Sequence, residues 1–519
     1  MTGPAQSASV ATYRDHLANV GHLALLLAVA AATVAVAVAG PGSPALALLP
    51  VGLAAAAFVV ASVPLRWAAS AMLFLSLAFD DKEGSFGQWR TPLAGVTDFL
   101  TQRLDEVSGI RLPVTGAEVL ILCFMAVWAY RRITGSRLDT NGQVEPARVT
   151  RDLLLLCVVG VAFSEIVGLA RGLGAAPWKV RNLLHPVAFA VLFLAAYRGP
   201  RDHGIIARLV VLAACIKSVI AIVVQRVAIA ETGGPYSFAV SHGDSMLFAV
   251  AAVLVTVDLL ERPSRGRLAR AAVTLPLIVA GMIENNRRLV WVMLLLAFVA
   301  AYLIAPMKGW KRSLTRFAAV ALPVVLLYVS VGWNRGNKLF APIQTLRGVT
   351  GSSTDRSAYW REVENWNIAM SMRFRPVLGP GLGGSYTEYL PNDDITIWYK
   401  EYREWPHNSV IGLLFYLGLL GFTATSALLA GVFFLAIRSH RMATVPEHRV
   451  AAFGCIAAVI VCQVMAWGDL GAHFVQYKVL AGLAIAVSAR LAVVTGAWPP
   501  RRRHPRSPVP RPASIEAVR

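Results

Sequence analysis

The sequence predicts an all-α polytopic membrane protein with about 12–14 transmembrane helices and one large extracytoplasmic loop. Of its 519 residues, 56% are hydrophobic and only 15% are charged, and the mean hydropathy is +0.58. Soluble proteins carry roughly 25% charged residues. Apolar runs of about 20 residues recur, the length that crosses hydrocarbon. Helices are expected because they satisfy their own backbone hydrogen bonds in lipid, and the alternating pattern of barrel strands is not seen.

The apolar runs place about fourteen spans along the chain. The third run, Leu65–Phe79, is short and is also compatible with a re-entrant segment. The first run is interpreted as an uncleaved span. The predicted spans lie near His22–Ala39, Pro44–Ala61, Leu65–Phe79, Val114–Tyr130, Asp152–Ala170, Val180–Tyr197, Ile205–Ala228, Val240–Leu260, Ala271–Glu284, Leu289–Ala305, Phe317–Val331, Ser409–Ile437, Val450–Trp467 and Phe474–Leu491.

The basic residues predict the orientation of these spans. The net charge is +20, and four loops with clustered Lys and Arg fall on the same side by span parity. Positive residues mark cytoplasmic loops, so both termini are expected to be cytoplasmic and nucleic-acid binding is not needed to explain the charge. The predicted regions are a membrane bundle at 1–333, an extracytoplasmic loop at 334–406, membrane helices at 407–491 and a disordered basic tail at 492–519.

Polar residues collect at the outer ends of the predicted spans. Examples outside the long loop include His242, Asp244, Asp469, His473 and Lys478. The five cysteines, by contrast, lie inside apolar runs without metal or disulfide spacing, and no metal site is predicted.

The run Glu284-Asn285-Asn286-Arg287-Arg288 separates two apolar helices and allows only a tight hairpin. Arginine forks match phosphate oxygens, and helix N-terminal amides add to the attraction. An anion site is therefore expected at Arg287 and Arg288.

The loop of about seventy residues begins at Asn334 and has helical character from Asp355 to Phe374. Its apolar residues recur at three- and four-residue steps, which predicts a stripe against the membrane or the bundle. This stripe contains Trp360, Val363, Trp366 and Met370. Arg361 and Glu364 are expected near one another on a different face. A glycine-rich stretch containing Gly381 and Gly383 follows, either for close backbone packing beneath a ligand or for a turn.

His407 ends the loop and opens an apolar helix. Pro406 fixes its approach, and Asn408 is placed to cap the helix or to orient the imidazole ring. A histidine near neutral pH can take a proton from a hydroxyl group. His407 is therefore the candidate general base.

These motifs together resemble the O-antigen ligase and O-antigen polymerase superfamily of bacterial membrane proteins. The resemblance covers Glu284 to Phe422 and consists of the arginine hairpin, the loop helix with its E-N-W-N phrase, the P-x-L-G-x-G-x-G stretch, the P-H-N-S sequence and the G-L-L-G at Gly418–Gly421. Two features depart from the family pattern. The hairpin reads Asn-Arg-Arg where Ser-Arg is usual, and the loop offers two arginines where one is expected.

The resemblance implies a metal-independent, inverting glycosyltransferase in the bacterial cytoplasmic membrane, without a cofactor. The donor would be an oligosaccharide linked to undecaprenyl diphosphate, and the acceptor a glycan hydroxyl. The resemblance maps the two diphosphate-binding arginines to Arg288 or Arg287 and to Arg361 or Arg356. It maps the general base to His407. Glu284, Glu364, Asn408, Gly381 and Gly383 are the predicted supporting residues.

Within this chemistry the sequence favours a repeat-unit polymerase, which would work with a chain-length regulator and a flippase. An O-antigen ligase that uses lipid A core as acceptor is the close alternative. A solute or bicarbonate-type transporter belongs to a different class and predicts paired broken helices in two repeated halves, whereas no repeat is visible. A structural subunit of an export complex is the third hypothesis.

Overall fold

The computed structural model describes residues 64–78, 99–100, 103–107, 114–133, 143–236, 238–306, 309–335, 340, 343, 356–393 and 403–499. The structure is 79% helical with no strand in these ranges. The predicted spans His22–Ala39 and Pro44–Ala61 lie outside the described residues, as does the basic tail from residue 500 onward. The predicted disordered region 492–519 begins too early, because the last helix continues through Val494.

The long helices of the described ranges are numbered here in chain order. They are α1 (Leu65–Ala78), α2 (Gly116–Ile133), α3 (Arg148–Ala170), α4 (Ala176–Ala196), α5 (Pro200–Thr232), α6 (Asp244–Glu261), α7 (Arg265–Asn285), α8 (Leu289–Ile304), α9 (Gly309–Gly332), α10 (Arg356–Met372), α11 (Ser409–Met442), α12 (Pro446–Gly468) and α13 (Val475–Val494).

Eight of these helices are long and apolar enough to cross a membrane, which makes the chain a multi-pass membrane protein. They are α3, α4, α5, α7, α9, α11, α12 and α13. The apolar helices α1 and α8 are shorter. Large apolar side chains stay exposed on the bundle surface, among them Leu122, Leu303 and Val320, as expected for surfaces that face lipid rather than water.

Helices α12 and α13 form the centre of the bundle. Most of each apolar stretch is buried inside the protein, and α13 is the more buried of the two. Helix α12 packs against α6, α11 and α13, whereas α13 packs mainly against α4 and α12. Helix α11 packs most extensively against α3, and α7 against α5. Small residues allow the close approaches: a Cβ atom on Gly160 of α3 would lie 2.6 Å from Ala424 Cβ of α11.

Helix α6 begins four residues later than the predicted span, because Asp244 organises the turn before it. The backbone amide of Ser241 donates to Asp244 Oδ2 over 3.1 Å. The same carboxylate pairs with Lys217 Nζ at 3.3 Å, with both side chains fully buried, and accepts from Gln476 Nε2 over 2.9 Å. A buried charge needs such partners. The network ties α5, α6 and α13 together at one level of the bundle.

The bundle has two chemically different ends. At one end, the loop between α6 and α7 meets the loop between α11 and α12 through Arg262 with Glu447 and Arg449 with Glu261, each at 2.6 Å. At the other end lie the α7–α8 hairpin, the α12–α13 turn and the start of α11. This second end is called the loop end below, because the segment containing α10 packs there against α11.

Candidate functional site

His407 lies at the loop end with its ring held by Glu364 of α10. Glu364 Oε2 accepts the backbone amide of His407 over 3.1 Å and lies 3.2 Å from its Nδ1. Tyr386 donates its hydroxyl to Oε1 of the same carboxylate over 3.4 Å. The Glu364 side chain is 1% exposed and that of His407 is 28% exposed. The carboxylate therefore fixes the ring with Nδ1 turned inward.

The second ring nitrogen of His407 is available for chemistry. No described residue forms a hydrogen bond with Nε2 of His407. With Nδ1–H donating to Glu364, the neutral ring carries its lone pair on Nε2, as in carboxylate–imidazole pairs that act as general bases. The structure thus brings together two predicted site residues, and it gives Glu364 a definite contact.

Asn408 and Ser409 fix the position of His407 relative to the bundle. Asn408 is the N-cap residue of α11, and its Oδ1 accepts from the Ile411 amide over 3.1 Å. This confirms the capping alternative for Asn408. Ser409 donates its hydroxyl to the backbone carbonyl of Asp469 over 3.3 Å. The start of α11 is therefore attached to the α12–α13 turn.

The predicted hairpin between α7 and α8 is confirmed. Helix α7 ends at Asn285, Asn286 takes the left-handed conformation with φ 51°, and α8 begins at Leu289. Asn285 is buried; its Oδ1 accepts from the Val240 amide over 3.0 Å and its Nδ2 donates to the Ser241 carbonyl over 3.4 Å. The buried amide side chain holds the hairpin against the segment that precedes α6.

The two hairpin arginines have different surroundings. The Arg287 guanidinium lies over the ring of Phe238, 3.7 Å from its centroid, a cation–π contact. Arg288 is the N-cap residue of α8 and is exposed. Glu284 is half-buried in the last turn of α7, and its backbone carbonyl accepts from Gln225 Nε2 over 2.9 Å. Both arginine residues stand directly before the first residue of α8, at a helix N-terminus, where anions are favoured.

A histidine–aspartate pair connects the hairpin with the α12–α13 turn. His242 Nδ1 lies 2.5 Å from Asp469 Oδ2. The His242 ring tilts against Phe238 with centroids 5.9 Å apart and stacks on Phe474 at 6.2 Å. Phe238 therefore contacts both Arg287 and His242.

Arg361 of α10 approaches the same aspartate. Burial disfavours the charged form of Asp469, but the positive charges of His242 and then Arg361 outweigh it and hold the pKa of that carboxyl below its usual range. Arg361 is half-buried and forms no hydrogen bond with a described residue. Arg356 begins α10, and its side chain lies outside the described part. Contacts thus connect the hairpin through Phe238, His242 and Asp469 to Ser409 at the start of α11, and Arg361 of α10 interacts electrostatically with Asp469.

The glycine-rich stretch packs against helices α3 and α4. Gly381 and Gly383 have φ of 87° and 81°. A Cβ atom on Gly381 would lie 2.4 Å from the backbone nitrogen of Gly168, and one on Gly383 would lie 2.7 Å from that of Ala176. Arg171 donates to the Gly379 carbonyl over 2.7 Å. The close backbone packing that the sequence predicted is therefore made against the bundle itself.

Helix α11 is broken where this stretch meets it, although the sequence predicted one continuous helix. Gly418 has φ 59° and ψ −178°. The amides of Leu419 and Leu420 donate to the carbonyls of Pro376 and Val377 over 2.9 and 3.2 Å. Because the loop replaces the lost helical hydrogen bonds, the break leaves these two amides satisfied.

The residues of the predicted apolar stripe on α10 do not all lie against the bundle. Val363 is buried, but Trp366 is 41% exposed. The buried face instead contains Glu364, Asn367 and Ile368. Asn367 is buried because its side chain donates to the Leu390 carbonyl over 2.8 Å and accepts from the Leu390 amide over 2.9 Å. Glu364 is buried because it faces His407.

His242 and Asp469 were recognised in the sequence only as polar residues near the outer ends of helices. Nothing in their spacing predicts that they form a pair. The usable signal was that each stands beside an apolar helix at the end that carries the hairpin. A charged group there is a functional candidate by default.

No family model matches the chain, and no curated protein matches it. Within the described residues, no group of three or more His, Cys, Asp or Glu side chains is placed to hold a metal ion. The charges at the loop end are instead those of arginine and histidine side chains opposite buried carboxylates.

Proposed function

We propose that this chain is a membrane glycosyltransferase that polymerises glycan repeat units linked to undecaprenyl diphosphate. The observation that carries the proposal is the Glu364–His407 pair. Nε2 of His407 forms no hydrogen bond with a described residue, and the pair lies at the same end of the bundle as Arg287, Arg288 and Arg361. The resemblance of the hairpin, loop and P-H-N-S motifs to the O-antigen ligase and polymerase superfamily supports the same assignment.

In the proposed reaction, Nε2 of His407 takes the proton of the acceptor hydroxyl. The acceptor oxygen forms a bond with the anomeric carbon from the face opposite the diphosphate, so the configuration is inverted. The bond between the anomeric carbon and the diphosphate oxygen breaks, and its electron pair goes to that oxygen. Glu364 keeps the ring oriented and stabilises the imidazolium that forms.

The leaving diphosphate gains negative charge in the transition state, and fixed cations stabilise such charge. Arg361 suits this role because it is half-buried and not hydrogen-bonded within the described residues. Arg288 and Arg287 stand at the start of α8, where helix amides add to the attraction. Arginine can bind phosphate oxygens through two parallel hydrogen bonds.

The proposed location is the bacterial cytoplasmic membrane, with both termini in the cytoplasm and the loop end facing outward. The arrangement of charge supports this orientation. The end opposite His407 carries Arg262, Arg265, Arg267 and Arg270 around the α6–α7 connection and Arg438, Arg441 and Arg449 around the α11–α12 connection. Positive segments are retained in the cytoplasm. A donor lipid tail would then stay in the bilayer while its sugar reaches water.

A ligase that transfers the same glycan to lipid A core is the alternative acceptor assignment. The deciding experiment uses the purified protein in lipid bilayers. It compares two conditions: an undecaprenyl-diphosphate-linked repeat unit alone, and the same repeat unit together with lipid A core. A polymerase lengthens the lipid-linked glycan and releases undecaprenyl diphosphate without the core lipid. Product only on the core lipid would assign the ligase, and no product under either condition would contradict the glycosyltransferase proposal.

A further inference from the structure

Two histidines at the loop end share one arrangement. His407 points Nδ1 at Glu364 over 3.2 Å, and His242 points Nδ1 at Asp469 over 2.5 Å. Each carboxylate is buried, and the two imidazole side chains are 28% and 27% exposed. Neither Nε2 forms a hydrogen bond with a described residue. Both rings therefore present Nε2 as the nitrogen that can meet a ligand.

The two carboxylates differ in how many hydrogen bonds they accept. The Glu364 carboxylate accepts hydrogen bonds from the Tyr386 hydroxyl, the His407 amide and His407 Nδ1. Oδ2 of Asp469 faces His242, and Oδ1 accepts the Leu470 amide over 2.8 Å and no other hydrogen bond from the described residues. A carboxylate with fewer donors keeps more of its negative charge for the histidine.

The surroundings of His242 are those of the proposed diphosphate site. Its ring contacts Phe238, which also contacts the guanidinium of Arg287. Its carboxylate partner interacts with Arg361. Within the described residues, His242 thus contacts Asp469, Phe238 and Phe474. Arg287 lies over Phe238, and Arg361 interacts electrostatically with Asp469.

We propose that His242 binds the leaving diphosphate, donating an Nε2–H hydrogen bond to the oxygen that separates from the anomeric carbon. This assignment rests on the proposed function. The acceptor proton goes to His407 Nε2, and the electron pair of the breaking bond goes to the diphosphate oxygen. His242 keeps its proton and stabilises the new charge, while His407 afterwards releases its proton to water. One histidine serves the acceptor and the other the leaving group.

The alternative role for His242 is a structural brace between α6 and the α12–α13 turn. Binding of undecaprenyl diphosphate, the reaction product, separates the two roles, because a brace does not touch it. The experiment compares wild type, His242→Gln, Asp469→Asn and His407→Ala in lipid bilayers. It measures the affinity for undecaprenyl diphosphate and the single-turnover rate with the lipid-linked donor.

We expect His242→Gln to weaken undecaprenyl diphosphate binding by about 10-fold, the effect of losing one charge-assisted hydrogen bond. Asp469→Asn should also lower the affinity for undecaprenyl diphosphate, and His407→Ala should leave that affinity unchanged. Single-turnover transfer by His242→Gln should fall by about 100-fold while the acceptor KM stays constant.

Unchanged product affinity and transfer in His242→Gln would overturn the assignment and leave the proposed function intact, provided that wild type binds and transfers. If His242→Gln does not fold, Asp469→Asn decides by the same two measurements. A wild-type protein that neither binds undecaprenyl diphosphate nor transfers glycan would overturn the proposed function and this assignment together.

Discussion

Glu364 contacts His407 at two atoms, although the two residues are 43 positions apart in the chain. One carboxylate oxygen accepts the backbone amide and faces Nδ1 of the ring, so both the position and the rotation of the imidazole depend on Glu364. The carboxylate can do this because α10 buries it against the start of α11. The general base of the proposed reaction therefore requires the loop helix to be docked.

Glu364→Gln should lower the transfer rate by about 100- to 1,000-fold, because the neutral amide no longer stabilises the imidazolium. The matched control is Glu362→Gln, which changes an exposed carboxylate of the same helix and should retain wild-type transfer. Steady-state kinetics with a saturating lipid-linked donor measure both. Equal transfer rates in Glu364→Gln and Glu362→Gln would show that Glu364 has no role in the reaction.

Arg361→Ala should raise the KM for the lipid diphosphate donor by about 10-fold and lower kcat by about 100-fold, because a half-buried cation near Asp469 is lost. Arg361→Lys should recover only part of the activity, since lysine lacks the planar fork. Arg373→Ala, at an exposed position after α10, is the control. A larger loss of kcat in Arg356→Ala than in Arg361→Ala would assign diphosphate binding to Arg356 and not to Arg361.

Asn285→Ala should destabilise the protein by about 1–3 kcal/mol, because the buried Val240 amide loses its acceptor. The displaced hairpin should also weaken binding of the lipid diphosphate. Asn286→Gly is the matched control, since glycine adopts the left-handed conformation of this position without strain. Thermal unfolding in detergent measures the first effect. Equal unfolding temperatures for the two variants would contradict the bracing role of Asn285.

Gly418→Ala should destabilise the protein by about 2–3 kcal/mol, because its backbone conformation is nearly exclusive to glycine. The added Cβ would also lie 2.3 Å from the Val377 carbonyl oxygen. Gly204→Ala adds a Cβ in α5 that meets nothing within 4 Å, and it should be neutral or slightly stabilising. A Gly418→Ala protein with the unfolding temperature of wild type would show that the loop does not need the break in α11.

Features governed by neighbouring residues could be predicted from the sequence. The hairpin at Glu284–Arg288 follows from five polar residues between two apolar runs, and the Asn408 cap follows from a polar residue directly before an apolar helix. The helical part of the loop was also predicted closely, since α10 runs from Arg356 to Met372. Each of these needs only local hydrogen bonding and periodicity.

Features that depend on distant partners could not be predicted. Periodicity placed Trp366 in the same stripe as Val363, and apolar character alone could not show that Asn367 is buried because it satisfies its amide on the Leu390 backbone. Gly418 breaks α11 only because carbonyls of the glycine-rich loop replace the helical ones. The pairing of His242 with Asp469 likewise depends on how α6 and α12 pack, which no local pattern contains.

Transfer by His407→Ala tests the central claim most directly. The measurement is single-turnover transfer from an undecaprenyl-diphosphate-linked repeat unit in reconstituted bilayers, with undecaprenyl diphosphate affinity measured on the same sample. His448→Ala, which changes a histidine in the first turn of α12 at the opposite end of the bundle, is the control and should match wild type. His407→Ala should bind undecaprenyl diphosphate normally and transfer about 1,000-fold more slowly. Full transfer by His407→Ala would contradict the assignment of His407 as the base.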